Sequence, residues 1–278
     1  MMKNVLVTGT STGIGHSTAL ELARRGWRVF AGVRKEADGE ALKREAEGEV
    51  HIVLLDVADE ASIDSATALL AEQTGGELHG LVNNAGVYLG GPLELMRPDE
   101  IRKTLDVNVT GLLLLTRACL PLLRAAPGRI VNISSISGLI AMPGVSVYAA
   151  SKHAVEAVTD ALRVELQPFG IKVIAVEPGG VKTPIWDKGA KRDAAAREDR
   201  GTAETRELYA PLVRLLEKLN AKPGGLPPEA LAEVVTEALE SAKPKNRYLV
   251  GKDAKALKLL TRLPDGLRDK TIAAKIWR

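Results

Sequence analysis

Short apolar runs alternate with stretches of helical periodicity along most of this chain, and that alternation constrains the fold more than any single motif. Residues 3–8, 28–33, 50–55, 79–82, 128–134, 171–177 and 247–250 have the composition of buried strands. Helical spacing of apolar residues fills 13–26, 59–74, 98–125, 146–168 and 228–242. Strands joined through helices run parallel, and a sheet buried on both faces needs helices on both sides. The expected fold class is therefore α/β, one parallel sheet of about seven strands. In such sheets ligands lie beyond the carboxyl ends of the strands. That rim collects the turn at Gly9–Gly15, Asp56, Asn83, Ser135 and Pro178.

A length of 278 residues fits a single α/β domain, and 45% hydrophobic with 26% charged residues is ordinary for a globular protein. The net charge of +3 comes from interspersed Lys and Arg, not from a basic stripe, which argues against a nucleic-acid partner. One cysteine, Cys119, sits among leucines; it reads as a core residue and excludes an internal disulfide. His16, His51, His79 and His153 have no metal-ligand spacing, so no metal is expected. No eighteen-residue apolar run is present and the first residues lead straight into a strand. The expectation is a cytoplasmic protein without an integral membrane span.

Two motifs carry chemistry. Val5-Leu6-Val7-Thr8-Gly9-Thr10-Ser11-Thr12-Gly13-Ile14-Gly15 reads as strand, glycine turn and helix start. Glycines let a backbone approach a pyrophosphate, whose charge then meets helix N-terminal amides. Alone, such a turn also fits a plain structural connection. In Tyr148-Ala149-Ala150-Ser151-Lys152 the Tyr and Lys stand at i and i+4, one turn apart on one helix face. An ammonium beside a phenol favours the phenolate and brings its pKa toward neutrality. Ser135 stands thirteen residues before the Tyr, among three serines of Ile133-Ser134-Ser135-Ile136-Ser137.

Further segments agree: Val53-Leu54-Leu55-Asp56-Val57, Leu81-Val82-Asn83-Asn84-Ala85-Gly86, Asp106-Val107-Asn108-Val109 and Glu177-Pro178-Gly179-Gly180. With these the chain resembles the short-chain dehydrogenase/reductase family, in its one-domain variety with an extended C-terminus, and within it the hydroxysteroid/retinol dehydrogenase-like members. The resemblance covers about residues 3 to 185 by motif. It implies a doubly wound, Rossmann-type sheet in the order 3-2-1-4-5-6-7. It implies an oxidoreductase moving a hydride between a nicotinamide cofactor and a secondary alcohol or ketone, here a lipophilic, steroid- or retinoid-like one. Tyr148 is then the general acid and base, Lys152 lowers its pKa and holds the cofactor ribose, Ser135 bonds the reacting oxygen, and Asn108 fixes a water leading from Lys152 to solvent. Cofactor contacts fall to Gly9, Ser11, Thr12, Gly13, Ile14, Gly15, Arg34, Asp56, Val57, Asn84, Ala85, Gly86, Tyr148, Lys152, Pro178, Gly179, Val181 and Thr183.

NADP(H) is favoured, with NAD(H) possible. Val33 stands where relatives preferring NAD(H) place an Asp, and Arg34 after it suits a 2′-phosphate. Two other readings stay open, a catalytically silent cofactor-sensing protein and a 3-ketoacyl reductase. Residues 183–226 are expected to form a substrate lid with Trp186, Leu208, Tyr209, Leu212 and Leu216 inward. Residues 252–278 are expected to form a helical extension carrying Leu257, Leu259, Leu260, Leu263 and Leu267. A lipophilic substrate would meet Val87, Leu89, Leu93, Ile136, Leu139, Met142, Val145 and Ile185. The helical runs 98–125 and 146–168 are apolar on more than one side, and a homodimer or homotetramer through them is expected.

Overall fold

All five residues of β1 (Asn4–Thr8) are buried, since β1 lies between β2 (Arg28–Val33) and β4 (Gly80–Asn83) with helices on both faces. β3 (Val50–Leu54), β5 (Arg129–Ile133), β6 (Lys172–Pro178) and β7 (Arg247–Val250) complete a parallel sheet in the order β3-β2-β1-β4-β5-β6-β7. The expected order holds, and each strand begins and ends within one residue of its expected bounds. The computed structural model describes residues 2–184, 200–221 and 225–277.

Period-two alternation along the strands builds two cores. Val5 and Val7 point to one face, where α1 (Gly13–Arg24) and the helix Pro228–Glu240 bring Ala19, Leu22, Leu231 and Val235. Leu6 and Phe30 point to the other, against Leu70 of α3 (Glu60–Thr74) and Leu115 of α5 (Gly111–Ala125). Full burial of each such side chain stabilises the fold by about 1.5–3 kcal/mol. Cys119 belongs to the second core, and burial pushes its thiol up to about 12, so it is a neutral packing residue.

Two elements depart from expectation. A helix α2 (Glu36–Glu45) follows β2, where the sequence showed no apolar period because only Gly39 and Leu42 are buried. The run 98–125 is not one regular helix: α4 (Pro98–Leu105) passes through a π turn, Asp106–Thr110, into α5. Taken whole, Pro98–Ala125 is long and apolar enough to cross a bilayer; Leu112, Leu115, Cys119, Leu122 and Leu123 are buried, while Leu105 and Leu113 are exposed. The C-terminal extension is a helix pair, Lys252–Leu260 and Asp265–Ala273, in which Leu257 and Leu260 pack inward while Leu259 and Leu267 are exposed.

α5 starts so close to the loop after β3 that a Cβ on Gly111 would run into the Val57 carbonyl. Gly111→Ala should therefore destabilise the protein by about 1–3 kcal/mol despite alanine's better helix propensity. Denaturant unfolding checks this; an unchanged midpoint would mean that the helix start moves freely.

Candidate active site

β1 and β4 are neighbours whose chains leave toward opposite edges of the sheet, which opens a crevice above them. The Thr8 hydroxyl closes its floor, accepting from the amides of Asn84 at 3.0 Å and Ala85 at 2.9 Å. The Asn84 side chain donates back to the carbonyls of Thr8 at 2.8 Å and Gly9 at 3.1 Å. Gly9 turns over this clamp with φ 68°, and a Cβ there would sit 2.9 Å from the Ala85 Cα. Gly13, at φ 65°, opens α1 against Thr183.

From this turn a cleft of about 780 Å³ runs to Tyr148. It is lined by Ser11, Thr12 and Ile14 of the turn, by Arg34, Asp56 and Val57 beyond β2 and β3, and by Asn84, Ala85 and Gly86 beyond β4. Pro178, Gly179, Val181 and Thr183 beyond β6 complete the wall. Every expected cofactor residue is thus on the cleft except Gly15, which lies beneath it, where a Cβ would collide with Gly9 and Asn84. Arg34 is exposed at the rim. Bare backbone at Gly9 and Gly13, a helix N-terminus and a rim arginine fit an extended dinucleotide with phosphates at the turn.

The loop after β6 is held from two directions. Gly180 donates to the Asp253 carboxylate at 2.6 Å, and Gly179 to the Val250 carbonyl at 2.9 Å. Val181 and Leu226 form a parallel bridge, with Leu226 N to Gly180 O and Lys182 N to Leu226 O both at 3.0 Å.

The acid–base groups come from β5 and α6 (Ser146–Glu165). Tyr148 and Lys152 share a face of α6, both buried, and Ser135 follows the end of β5. Burial pushes the Tyr148 phenol up to about 12, and a hydrogen bond with Ser135 opposes that rise. Burial also pushes Lys152 down to about 8, with the charge of Glu156 opposing. The Lys152 ammonium donates to the Ile133 carbonyl at 2.8 Å and stands 5.8 Å from the Tyr148 ring centroid, over the ring.

Asn108 lies behind the cleft. It sits in the π turn away from the cleft wall; its Oδ1 accepts from Val87 N at 2.8 Å, and Nδ2 donates to Val87 O at 3.0 Å and Ser151 Oγ at 3.1 Å. The side chain thus ties the loop after β4 to α6.

Of the apolar residues expected to meet substrate, Val87 and Leu89 line the cleft, and Val145 is the residue before α6. Leu93 is exposed, and Ile136, Leu139 and Met142 pack beneath the helix Lys252–Leu260. Ile185 and Trp186 lie outside the described residues. In the expected lid, Leu212, Tyr209 and Leu216 pack with Ile272 and Ile276, whereas Leu208 is exposed. Sequence reading missed Tyr88, whose ring meets Tyr148 edge-on at 5.1 Å, and Lys103, a cleft residue on α4. An aromatic directly after Asn-Asn-Ala-Gly-Val was a usable signal in a chain with so few; Lys103 is one charge among several on its helix and carried none.

Residues 3–194 match the short chain dehydrogenase family model. The chain belongs to the short-chain dehydrogenase/reductase family. It is 39% identical to Rattus norvegicus retinol dehydrogenase 7, over 97% of this chain and 87% of that protein. It is 36% identical to the NADPH-dependent 3-dehydrocapnine reductase of Ornithobacterium rhinotracheale, over 97% and 95%. A short chain dehydrogenase from Burkholderia cenocepacia, solved in complex with NADP, superposes with a TM-score of 0.75 at 25% identity, covering 98% of this chain and 97% of that one. The fold, the oxidoreductase class and the likeness to retinol dehydrogenases thus agree with the expectations from sequence.

Tyr148→Phe tests the acid–base assignment. Turnover should fall by roughly 100-fold or more, while the cofactor dissociation constant stays within about threefold of wild type. Steady-state rates and fluorescence titration of cofactor check both; a variant keeping more than about a tenth of the rate would remove Tyr148 from the chemistry.

Proposed function

We propose that this oxidoreductase interconverts a lipophilic ketone and its secondary alcohol, with NADP(H) preferred over NAD(H). The observation that carries the reaction is the convergence of Tyr148 and Ser135 in the same cleft as the glycine turn. A nicotinamide bound there supplies or accepts the hydride. Ser135 and Tyr148 hold the substrate oxygen, and the phenol donates its proton in reduction and takes one back in oxidation. Lys152 places a positive charge behind the phenol, which stabilises the phenolate left after donation. Buried Tyr88 and Leu89 with Val87 give the substrate end an apolar wall. The retinol dehydrogenase relative supports a lipophilic alcohol; a panel of retinoids, hydroxysteroids, short ketones and 3-ketoacyl thioesters tests it.

The cofactor preference rests on Val33 and Arg34 at the rim, with no carboxylate at the end of β2 to repel a 2′-phosphate. The NADP complex and the NADPH-dependent relative support the same choice. Residues 183–226 act in this reading as a lid over the substrate end. A homodimer or homotetramer through α5 and α6 belongs to it as well; Leu113 and Val164 leave apolar surface there, and sedimentation showing only monomer at micromolar concentration would remove it. A cytoplasmic location completes the reading.

Arg34→Ala should raise the Michaelis constant for NADP(H) about tenfold, equivalent to about 1.4 kcal/mol of lost charged contact, and leave that for NAD(H) nearly unchanged. Equal effects on both cofactors would defeat the assignment. The pH dependence has a definite sign. Reduction needs a protonated Tyr148 and a charged Lys152, and Lys152 loses its proton as pH rises through about 8, well below the phenol. Ketone reduction should therefore decline on the alkaline side of that value; a rate constant that stays flat to about pH 10 would contradict it.

A further inference from the structure

α6 carries a third polar group on the face of the acid–base pair. Tyr148, Lys152 and Glu156 stand at i, i+4 and i+8, one stripe of the helix pointing at the carboxyl end of β5. Lys152 donates to the carbonyl of Ile133, and Glu156 meets the side chain of the next residue, Ser134. Gly138 closes over this spot: a Cβ there would lie 2.9 Å from each of Glu156 Cγ, Lys152 O and Ser134 Oγ. Only glycine lets the turn after β5 press the three together.

The carboxylate is anchored from the far side. Arg247 of β7 bonds Glu156, reaches Glu177 of β6 at 2.6 Å and takes both oxygens of Asp160 at 2.6 and 2.7 Å. Asp160 in turn accepts from Arg163 at 2.7 Å. Glu177 and Glu156 are 0% and 6% exposed, so two buried carboxylates share one guanidinium. On its own helix Glu156 has a second cation, the Lys152 ammonium one turn before it. Among the described residues, the charged groups facing Glu156 are thus Lys152 and Asp160 on its own helix, Glu177 on β6 and Arg247 on β7.

We propose that Glu156, held in place by Arg247, is a positioning residue that keeps Lys152 protonated behind Tyr148. The proposal rests on the reading of Tyr148 and Lys152 as the acid–base pair. Burial alone strips the proton from a lysine, and an anion one helical turn away offsets that. The pKa directions agree: burial drives Lys152 down and Glu156 drives it up. Glu156 is itself raised by burial and by Glu177, while Ser134 and Arg247 pull it back toward the charged form. Without the guanidinium the carboxyl would neutralise, and its effect on Lys152 would vanish.

The test reads the lysine directly and does not depend on turnover. Competitive labelling of the intact protein with acetic anhydride across pH, followed by mass spectrometry of the Lys152 peptide, yields the titration midpoint of that amine. In Glu156→Gln the midpoint should fall by about one pH unit or more, the size expected for loss of a nearby opposite charge. The alkaline limb of ketone reduction should move down with it. In Glu177→Gln, which leaves Glu156 paired with Arg247, the midpoint should stay at the wild-type value or rise. If Glu156→Gln does not fold, Glu156→Met removes the same charge with similar volume and carries the same expectation. An unmoved midpoint in either folded charge-removing variant overturns the proposal. A shifted midpoint in a protein that turns over no ketone or alcohol would instead overturn the acid–base reading while leaving the Glu156–Lys152 coupling in place.

Discussion

The Thr8 hydroxyl is the contact on which the ligand end of this molecule depends. It accepts two amides from the loop after β4 while its own strand supplies the start of the glycine turn. Two neighbouring parallel strands whose loops diverge would otherwise expose unpaired backbone groups at their ends. A single side chain and the returning amide of Asn84 satisfy them, and the two loops become one surface. Gly9 and Gly15 follow from that closeness, since neither position has room for a Cβ. The cleft is therefore a by-product of sheet order, held open by hydrogen bonds beneath it.

At the other end of the cleft one physical cause acts with two signs. Removal from water disfavours whichever form of a group is charged, so it raises the Tyr148 phenol and lowers the Lys152 ammonium. The two groups, whose ordinary values lie close together, are driven apart, with the phenol the higher. Hydrogen bonding to Ser135 and the charge of Glu156 then act against burial on each partner. The resting arrangement puts the ammonium on a main-chain carbonyl and over the ring rather than on the phenol oxygen. Motif spacing predicts the pair but is blind to that choice, which depends on where β5 ends.

Strands were legible because burial on both faces makes each a run of Val, Leu and Ile, and the helices with a clear apolar face were legible by period. α2 was not, since it covers the sheet with little more than Gly39 and Leu42 and leaves no period to detect. The π turn escaped because Asp106–Thr110 differs from regular helix in hydrogen bonding rather than in composition. Among site residues, the glycines, Tyr148, Lys152 and Ser135 were legible as motifs. Asn108 was legible by position only: its side chain serves the backbone of Val87, a partner 21 residues away that sequence spacing does not reveal. Arg247 and Glu156, separated by 91 residues, meet only through the pairing of β6 with β7.

The bridge between Val181 and Leu226 gives the segment between them a property of its own. Its two ends are stapled side by side just beyond β6, so the segment starts and finishes at one point. For a segment closed in this way, doubling the length costs only about 0.6 kcal/mol of closure entropy. Thr183, just inside the bridge, still meets Gly13 on the cofactor rim, so changes of length are borne beyond it. The junction thus acts as a socket that fixes where the segment starts and where it finishes, whatever its length.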